Sequence, residues 1–188
     1  MKKHIAFLCP FLACVALEAA EAQIPNRLID YPGFLKTAQD AQKPRESRRL
    51  TEAQFLAMAA EPGTIVLDAR SESKFRLLHL KGAINLPFTE FTAATLAAAI
   101  PAKNTRVLIY CNNNFLGNAT AFATKAAPTS LNISTYVALT SYGYNNLYEL
   151  GPLIDVKNAK LRLEGEELSS KQPGIPAKRR QDSRKVND

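Results

Sequence analysis

The chain alternates short apolar runs with longer segments whose apolar residues recur at helical spacing. Residues 64–67 (Thr-Ile-Val-Leu) form one such run, which stops at Asp68. Residues 107–110 (Val-Leu-Ile-Tyr) form another, which stops at Cys111 ahead of three asparagines. Residues 146–150 continue the series, and residues 83–86 give a briefer strand before Pro87. Runs without polar alternation predict strands covered on both faces, the pattern of a parallel sheet. Helical segments lie between them. Thr51 with Gln54 makes a capping box ahead of Phe55, Leu56 and Ala59, and Pro62-Gly63 ends that helix. Residues 91–100 are alanine-rich and stop at Pro101, residues 118–126 stop before Pro128, and residues 134–142 stop at Gly143. The alternation predicts an α/β fold: a central parallel sheet with helices on both faces, in a single domain.

The ends of the chain read differently. Met1-Lys2-Lys3, an apolar stretch over residues 5–17, and small residues at Ala20 and Ala22 predict a secretory leader cleaved after Ala22. The stretch is short for a bilayer span and contains Pro10, so no stable membrane anchor is expected after cleavage. A weaker alternative is lipidation of Cys14 in Phe11-Leu-Ala-Cys14. Either reading sends the protein to the periplasm or out of the cell. Residues 23–48 carry a turn signal at Tyr31-Pro32-Gly33 and little periodicity, which predicts an N-terminal arm laid on a domain of residues 49–156. Residues 157–188 read as a basic tail, with order ending from Gly165 onward. That tail holds Lys171, Lys178, Arg179, Arg180, Arg184 and Lys185 among prolines, with no apolar face to bury.

Charge and cysteine usage narrow the function. The formal net charge is +7, and losing the leader removes two charges of each sign. No aromatic residues interleave the basic tail, so no nucleic-acid partner is expected and at most a weak attraction to anionic surfaces. Of three cysteines, only Cys111 lies beyond the leader, so no internal disulfide can staple the fold. A free thiol kept in an oxidising compartment is either buried and inert or reactive and used. His79 is the one histidine outside the leader, and one Cys with one His makes no metal site. No cofactor is expected. Ser71-Glu-Ser-Lys74 has Ser-x-x-Lys spacing without the partner motifs that would give it meaning. In parallel sheets ligands bind beyond the carboxyl ends of the strands, where Asp68 and Cys111 both fall.

Four pieces carry a family resemblance over residues 49–155: Leu67-Asp-Ala-Arg70, His79-Leu-Lys-Gly-Ala-Ile-Asn-Leu-Pro87, Val107-Leu-Ile-Tyr-Cys111 and Gly143-Tyr-Asn-Asn-Leu-Tyr-Glu-Leu150. In order and type they resemble the rhodanese domain. The resemblance implies that Cys111 is a nucleophile which takes a sulfane sulfur, holds it as a persulfide, and passes it to a small thiophile. It implies a small sulfur-containing substrate, with thiosulfate or polysulfide as donor. Asn112, Asn113, Asn114, Phe115 and Leu116 would be the anion-binding loop. Asparagine tolerates left-handed backbone, which could turn successive amides toward the sulfur, and the side-chain amides could add donors. Asp68, Arg70 and His79 are supporting residues: a buried ion pair fixing the sheet edge and a structural hydrogen bond. The alternative is a non-catalytic rhodanese module that binds a partner or small anion in the same pocket.

Two features depart from the family pattern. The residues after Cys111 through Gly117 carry no charge, so an anionic donor meets no cation in the loop and a phosphate-gripping arginine is missing. Cys111 and Gly143 stand 32 residues apart, roughly twice what the family uses, which predicts an insertion over about residues 115–131. Asn118 can cap its helix, and Phe122 and Lys125 lie about one turn apart on it. That helix is expected to close over Cys111, with Phe122 excluding water and Lys125 meeting the donor, or else to extend the core with Lys125 in solvent.

Overall fold

The computed structural model describes residue 24 and residues 26–169. The chain divides into two compact units, residues 1–30 and 31–188. In the first, the described residues form a turn in which the Ile29 amide donates to Asn26 O (3.1 Å) and the Leu28 amide to Asn26 Oδ1 (3.0 Å). The leader expected in residues 1–22 lies outside the described residues.

The second unit runs α1 (Tyr31–Ser47), β1 (Arg49–Leu50), α2 (Glu52–Ala59), β2 (Ile65–Asp68), α3 (Glu72–Leu77), β3 (His79–Leu80), β4 (Ile84–Asn85), α4 (Ala93–Ala99) and β5 (Val107–Tyr110). It continues with β6 (Phe115–Leu116), α5 (Leu131–Ser141), β7 (Leu147–Leu150), β8 (Ile154–Asp155), β9 (Leu163–Glu164) and α6 (Glu166–Ser169). The main sheet has the order β1-β7-β5-β2-β4 with every pairing parallel. Among the described residues, no helix is long and apolar enough to cross a membrane.

Both faces of the sheet are covered, as the unbroken apolar runs require. Side chains alternate along a strand, so β5 sends Leu108 and Tyr110 to one face and Val107 and Ile109 to the other. The first face packs on Phe55 of α2; the second packs on Ala41 of α1, Leu96 of α4, and Tyr136 and Leu139 of α5. The predicted box at α2 forms: the Gln54 amide donates to Thr51 Oγ1 (3.3 Å) and the Thr51 amide to Gln54 Oε1 (2.9 Å). The edge strands β1 and β4 have only two residues each, which leaves little backbone to pair with other chains.

Four expectations are corrected. The arm over residues 23–48 contains a 17-residue helix, α1. Pro32 read as a turn, but it sits in the first helical turn, where a missing N–H costs nothing. Periodicity was weak because Ala41 is the one residue of α1 that is fully buried. The helix starting at residue 134 starts instead at Leu131.

The third correction is the insertion, which forms no helix over residues 118–126. Asn118 caps one turn, accepting from the Ala121 amide at Oδ1 (2.9 Å) and from the Phe122 amide at O (2.8 Å). Within that turn and just after it, the backbone carbonyls have other partners. Arg70 Nη1 donates to Ala121 O (2.9 Å), Lys74 Nζ to Thr120 O (2.6 Å), and Asn112 Nδ2 to Ala123 O. A carbonyl already bound by a side chain gains little from a helical turn.

The fourth is the domain end. Order does not stop at residue 156 or at Gly165. Leu161 is buried, β9 pairs antiparallel with β3, and a Cβ at Gly165 would stand 2.4 Å from Leu77 O. Glycine is therefore required where the chain turns into α6. The basic residues 171–185 lie outside the described residues.

Candidate functional site

Cys111 follows the last residue of β5, the central strand, and is 1% exposed. A single 3-10 turn, Asn112–Asn114, comes next. The Cys111 amide donates to Asn114 Oδ1 (2.9 Å), and the Asn114 amide returns to Cys111 O (3.1 Å). This reciprocal pair closes the turn without left-handed backbone: among the described residues only glycines have positive φ. The expected left-handed cradle is corrected on that point.

The three asparagine side chains also differ from expectation. Asn114 Nδ2 donates to Leu150 O (2.8 Å) and Pro152 O (3.2 Å), and its Oδ1 also accepts from Asn132 Nδ2 (3.1 Å). Asn113 pairs with the backbone of Lys125 in both directions, and Asn112 holds Ala123 O. Each carboxamide offers a donor and an acceptor in one plane, as a peptide group does. Asn112 and Asn113 therefore fasten the insertion to the loop, and Asn114 fastens the loop to the end of β7. An uncharged run after the cysteine serves as a hinge plate for two neighbouring segments.

The sulfur is met by Ser130, which no local pattern in the sequence marks. Cys111 Sγ and Ser130 Oγ stand 3.5 Å apart. Both line a cavity of about 260 Å³, together with Asn113, Asn114, Asn132 and Glu149. Arg45 of α1 and Arg49 of β1 line it as well. Glu149, 1% exposed, bridges the two guanidiniums: Arg45 Nη2 lies 2.8 Å and Arg49 Nε 3.0 Å from its Oε1. Burial pushes the Glu149 carboxyl up, and the charges of Arg45 and Arg49 only partly pull it back. Asn132, also buried, leaves its Oδ1 without a hydrogen-bond partner. The basic run Arg45-Glu-Ser-Arg-Arg49 was the signal available in the sequence, but nothing local ties it to Cys111.

The remaining candidates lie elsewhere. Lys125 is exposed and lines a second cavity of about 480 Å³ with Arg70, Lys74 and Asn112; Cys111 does not line it. Phe122 is no lid. It is 1% exposed, with its ring centroid 4.5 Å from that of Phe115 and the Arg70 guanidinium 4.5 Å above its face. Phe115 is core as well, edge-on to Tyr110, and Leu116 is half exposed on β6, which pairs with β8. Gly117 must be glycine there: its φ is +84°, and a Cβ would meet Asp155 Oδ1 at 2.8 Å.

Asp68 and Arg70 form the expected buried pair. Arg70 Nη2 lies 2.6 Å from Asp68 Oδ2, and Arg70 Nε 2.9 Å from Oδ1. Arg70 also donates to Leu78 O (2.9 Å), and the Tyr110 hydroxyl donates to Asp68. Burial opposes the Arg70 charge, but Asp68 outweighs it and the guanidinium pKa is raised. Burial and the Asp68 charge raise the Tyr110 hydroxyl well above its ordinary value. His79 Nδ1–H donates to Phe75 O (2.7 Å), the ring stacks on Phe75 at 3.7 Å, and Nε2 faces Glu164 at 3.4 Å. Among the described residues no group of acidic, His and Cys side chains could hold a metal.

A five-stranded parallel sheet with Cys111, the one cysteine among the described residues, beyond its central strand defines the class. The rhodanese-like domain model matches residues 51–150, and the chain belongs to that family. Its fold is similar to a rhodanese with anions from E. coli (24% identity over 55% of this chain and 99% of that one, TM-score 0.38). It is also similar to the rhodanese-like domain of an Anabaena protein (17% identity, 75% of this chain and 96% of that one, TM-score 0.46). A thiosulfate sulfurtransferase from Pseudomonas aeruginosa matches at 21% identity over 71% of this chain and 23% of that one (TM-score 0.46). No curated protein matches the chain.

Proposed function

We propose that this chain is a sulfurtransferase of the rhodanese type, with Cys111 as the sulfur carrier. The observation that supports it is the Cys111 thiol at the carboxyl end of the central strand, facing a cavity and within reach of a hydroxyl. In the first step the Cys111 thiolate attacks the outer sulfur of a sulfane donor. With thiosulfate, a bond forms between Sγ and that sulfur, the donor S–S bond breaks, and sulfite leaves with the bonding pair. In the second step a thiophile such as cyanide or a thiolate attacks the outer persulfide sulfur. The Sγ–S bond then breaks and its electrons return to Sγ, so charge balances and no external oxidant is needed. A cavity of about 260 Å³ holds one extra sulfur atom with room for a small donor. The Ser130 hydroxyl can donate to the sulfur anion in either state.

The test is to incubate the protein with thiosulfate or polysulfide and measure intact mass. One added sulfur, mapped to Cys111 and released by cyanide as thiocyanate, supports the reading. Retained anion binding without added sulfur points instead to a binding module using the same pocket.

A further inference from the structure

The loop after Cys111 carries no charge, yet its cavity is not neutral. Arg45 and Arg49 both line it, and Glu149 is the carboxylate that lies against them. With Glu149 ionised the triad holds one net positive charge, and neither arginine belongs to the segment matched by the family model, which begins at residue 51. We propose that Arg45 and Arg49 are the anion-recognition element of the Cys111 cavity, with Glu149 fixing their geometry, so that the site takes an anionic sulfur donor of the thiosulfate class. This rests on the sulfurtransferase reading for its substrate, but the charge it assigns to the cavity does not.

The geometry suits recognition better than simple pairing. Arg45 uses Nε and Nη2 on the two Glu149 oxygens, at 3.0 and 2.8 Å. Arg49 uses Nε on Glu149 and Nη2 on Gly151 O (3.1 Å). A guanidinium is a planar fork of five N–H donors, and bonding along one edge fixes the plane while the Nη1 end lies outside the Glu149 contact. The Arg45 side chain is 26% and the Arg49 side chain 50% exposed, so both are open to solvent while lining the cavity of a buried sulfur. Two arginines merely neutralising a buried acid would not need to face the cavity of the thiol. The cation that Lys125 was expected to supply comes instead from α1 and β1.

The test compares alkylation of Cys111 by anionic iodoacetate and neutral iodoacetamide, with N-acetylcysteine amide setting the intrinsic ratio. The wild-type iodoacetate-to-iodoacetamide ratio should exceed that of the small thiol and fall as salt is raised. Arg45→Met should lower the ratio roughly fivefold, the size of effect one charge lining a partly screened cavity can have. Arg45→Lys should retain most of it. Glu149→Gln removes the negative member and should raise it, an opposite sign that general loosening cannot produce. If Arg45→Met fails to fold, Glu149→Gln decides alone. Ratios equal to that of the small thiol in wild type, or unchanged in Glu149→Gln, overturn the inference. Sulfur loading is measured separately on the same proteins. Anion preference without loading refutes the sulfurtransferase reading and leaves this inference standing, and loading without preference does the reverse.

Discussion

Ser130 Oγ lies 3.5 Å from the sulfur of Cys111, although 19 residues separate them in the chain. A hydroxyl at that place can donate to a sulfur anion and has no charge of its own to repel a nucleophile. Ser130→Ala should therefore slow alkylation of Cys111 by iodoacetamide at neutral pH by roughly fivefold, the worth of one hydrogen bond of about 1 kcal/mol. Stability should change little, because Ser130 lies at the start of α5 without a side-chain cap bond. An unchanged alkylation rate would remove Ser130 from the site.

Asn113 and Lys125 exchange two hydrogen bonds, from the Lys125 amide to Oδ1 (2.9 Å) and from Nδ2 to Lys125 O (2.8 Å). Asn113→Ala should free that backbone and speed hydrogen exchange of the Lys125 amide by about tenfold, corresponding to about 1.4 kcal/mol. Asn113→Asp keeps the acceptor but loses the donor and should fall between the two. Exchange unchanged in both variants would show that Phe122, Arg70, Lys74 and Asn112 hold the insertion without Asn113.

Arg70 joins Asp68, Leu78 and Ala121 by bonds of 2.6–2.9 Å in a buried place. Arg70→Met leaves the Asp68 charge buried without its partner, which costs about 3–5 kcal/mol in such pairs. Urea unfolding should show a loss of that size. Arg70→Lys should restore little of it, since an ammonium cannot reach all three acceptors as a planar fork does. A loss below about 1 kcal/mol would mean that the pair is replaceable.

Burial of Glu149 predicts the sign of a pH dependence in stability. Its folded pKa is raised above the ordinary 4.5, chiefly by burial, so the folded state holds this proton more tightly than the unfolded chain does. Stability from this group is present below the ordinary value and is lost as pH rises through the window up to the raised folded value. Glu149→Gln should flatten that fall. Thermal unfolding across this range, compared between the two proteins, measures it; parallel curves would assign the dependence elsewhere.

The C-terminal segment tests the domain boundary. Ending the chain at Val156 removes β9 and the buried Leu161, whose amide donates to Glu52 Oε1 (3.0 Å). Burial of one leucine side chain is worth about 1.5–3 kcal/mol, so the truncated protein should unfold at clearly lower urea. Equal midpoints would return residues 157–169 to a peripheral role.

What the sequence determined is the part written in local patterns. Val107 to Tyr110 had to be a strand covered on both faces because no polar residue interrupts it. Thr51 with Gln54 had to start a helix because each can bind the other's amide. Cys111 was the candidate thiol because its neighbours place it at a strand end, and Asp68 with Arg70 read as a buried pair. What the tertiary structure decided is where groups distant in sequence compete for the same atoms. Residues 118–126 have helical composition, but Arg70, Lys74, Asn112 and Asn113 bind their backbone groups, and those bonds replace a helical ladder. The weak periodicity of α1 concealed a helix, since only Ala41 is fully buried and the rest depends on packing against α5. Arg45, Arg49 and Glu149 meet beside Cys111 only because β1 and β7 pair in the sheet and α1 packs on β7 and α5. A hydrophobic period reports what one segment buries; it carries no information about which distant side chain will take its backbone or share its charge.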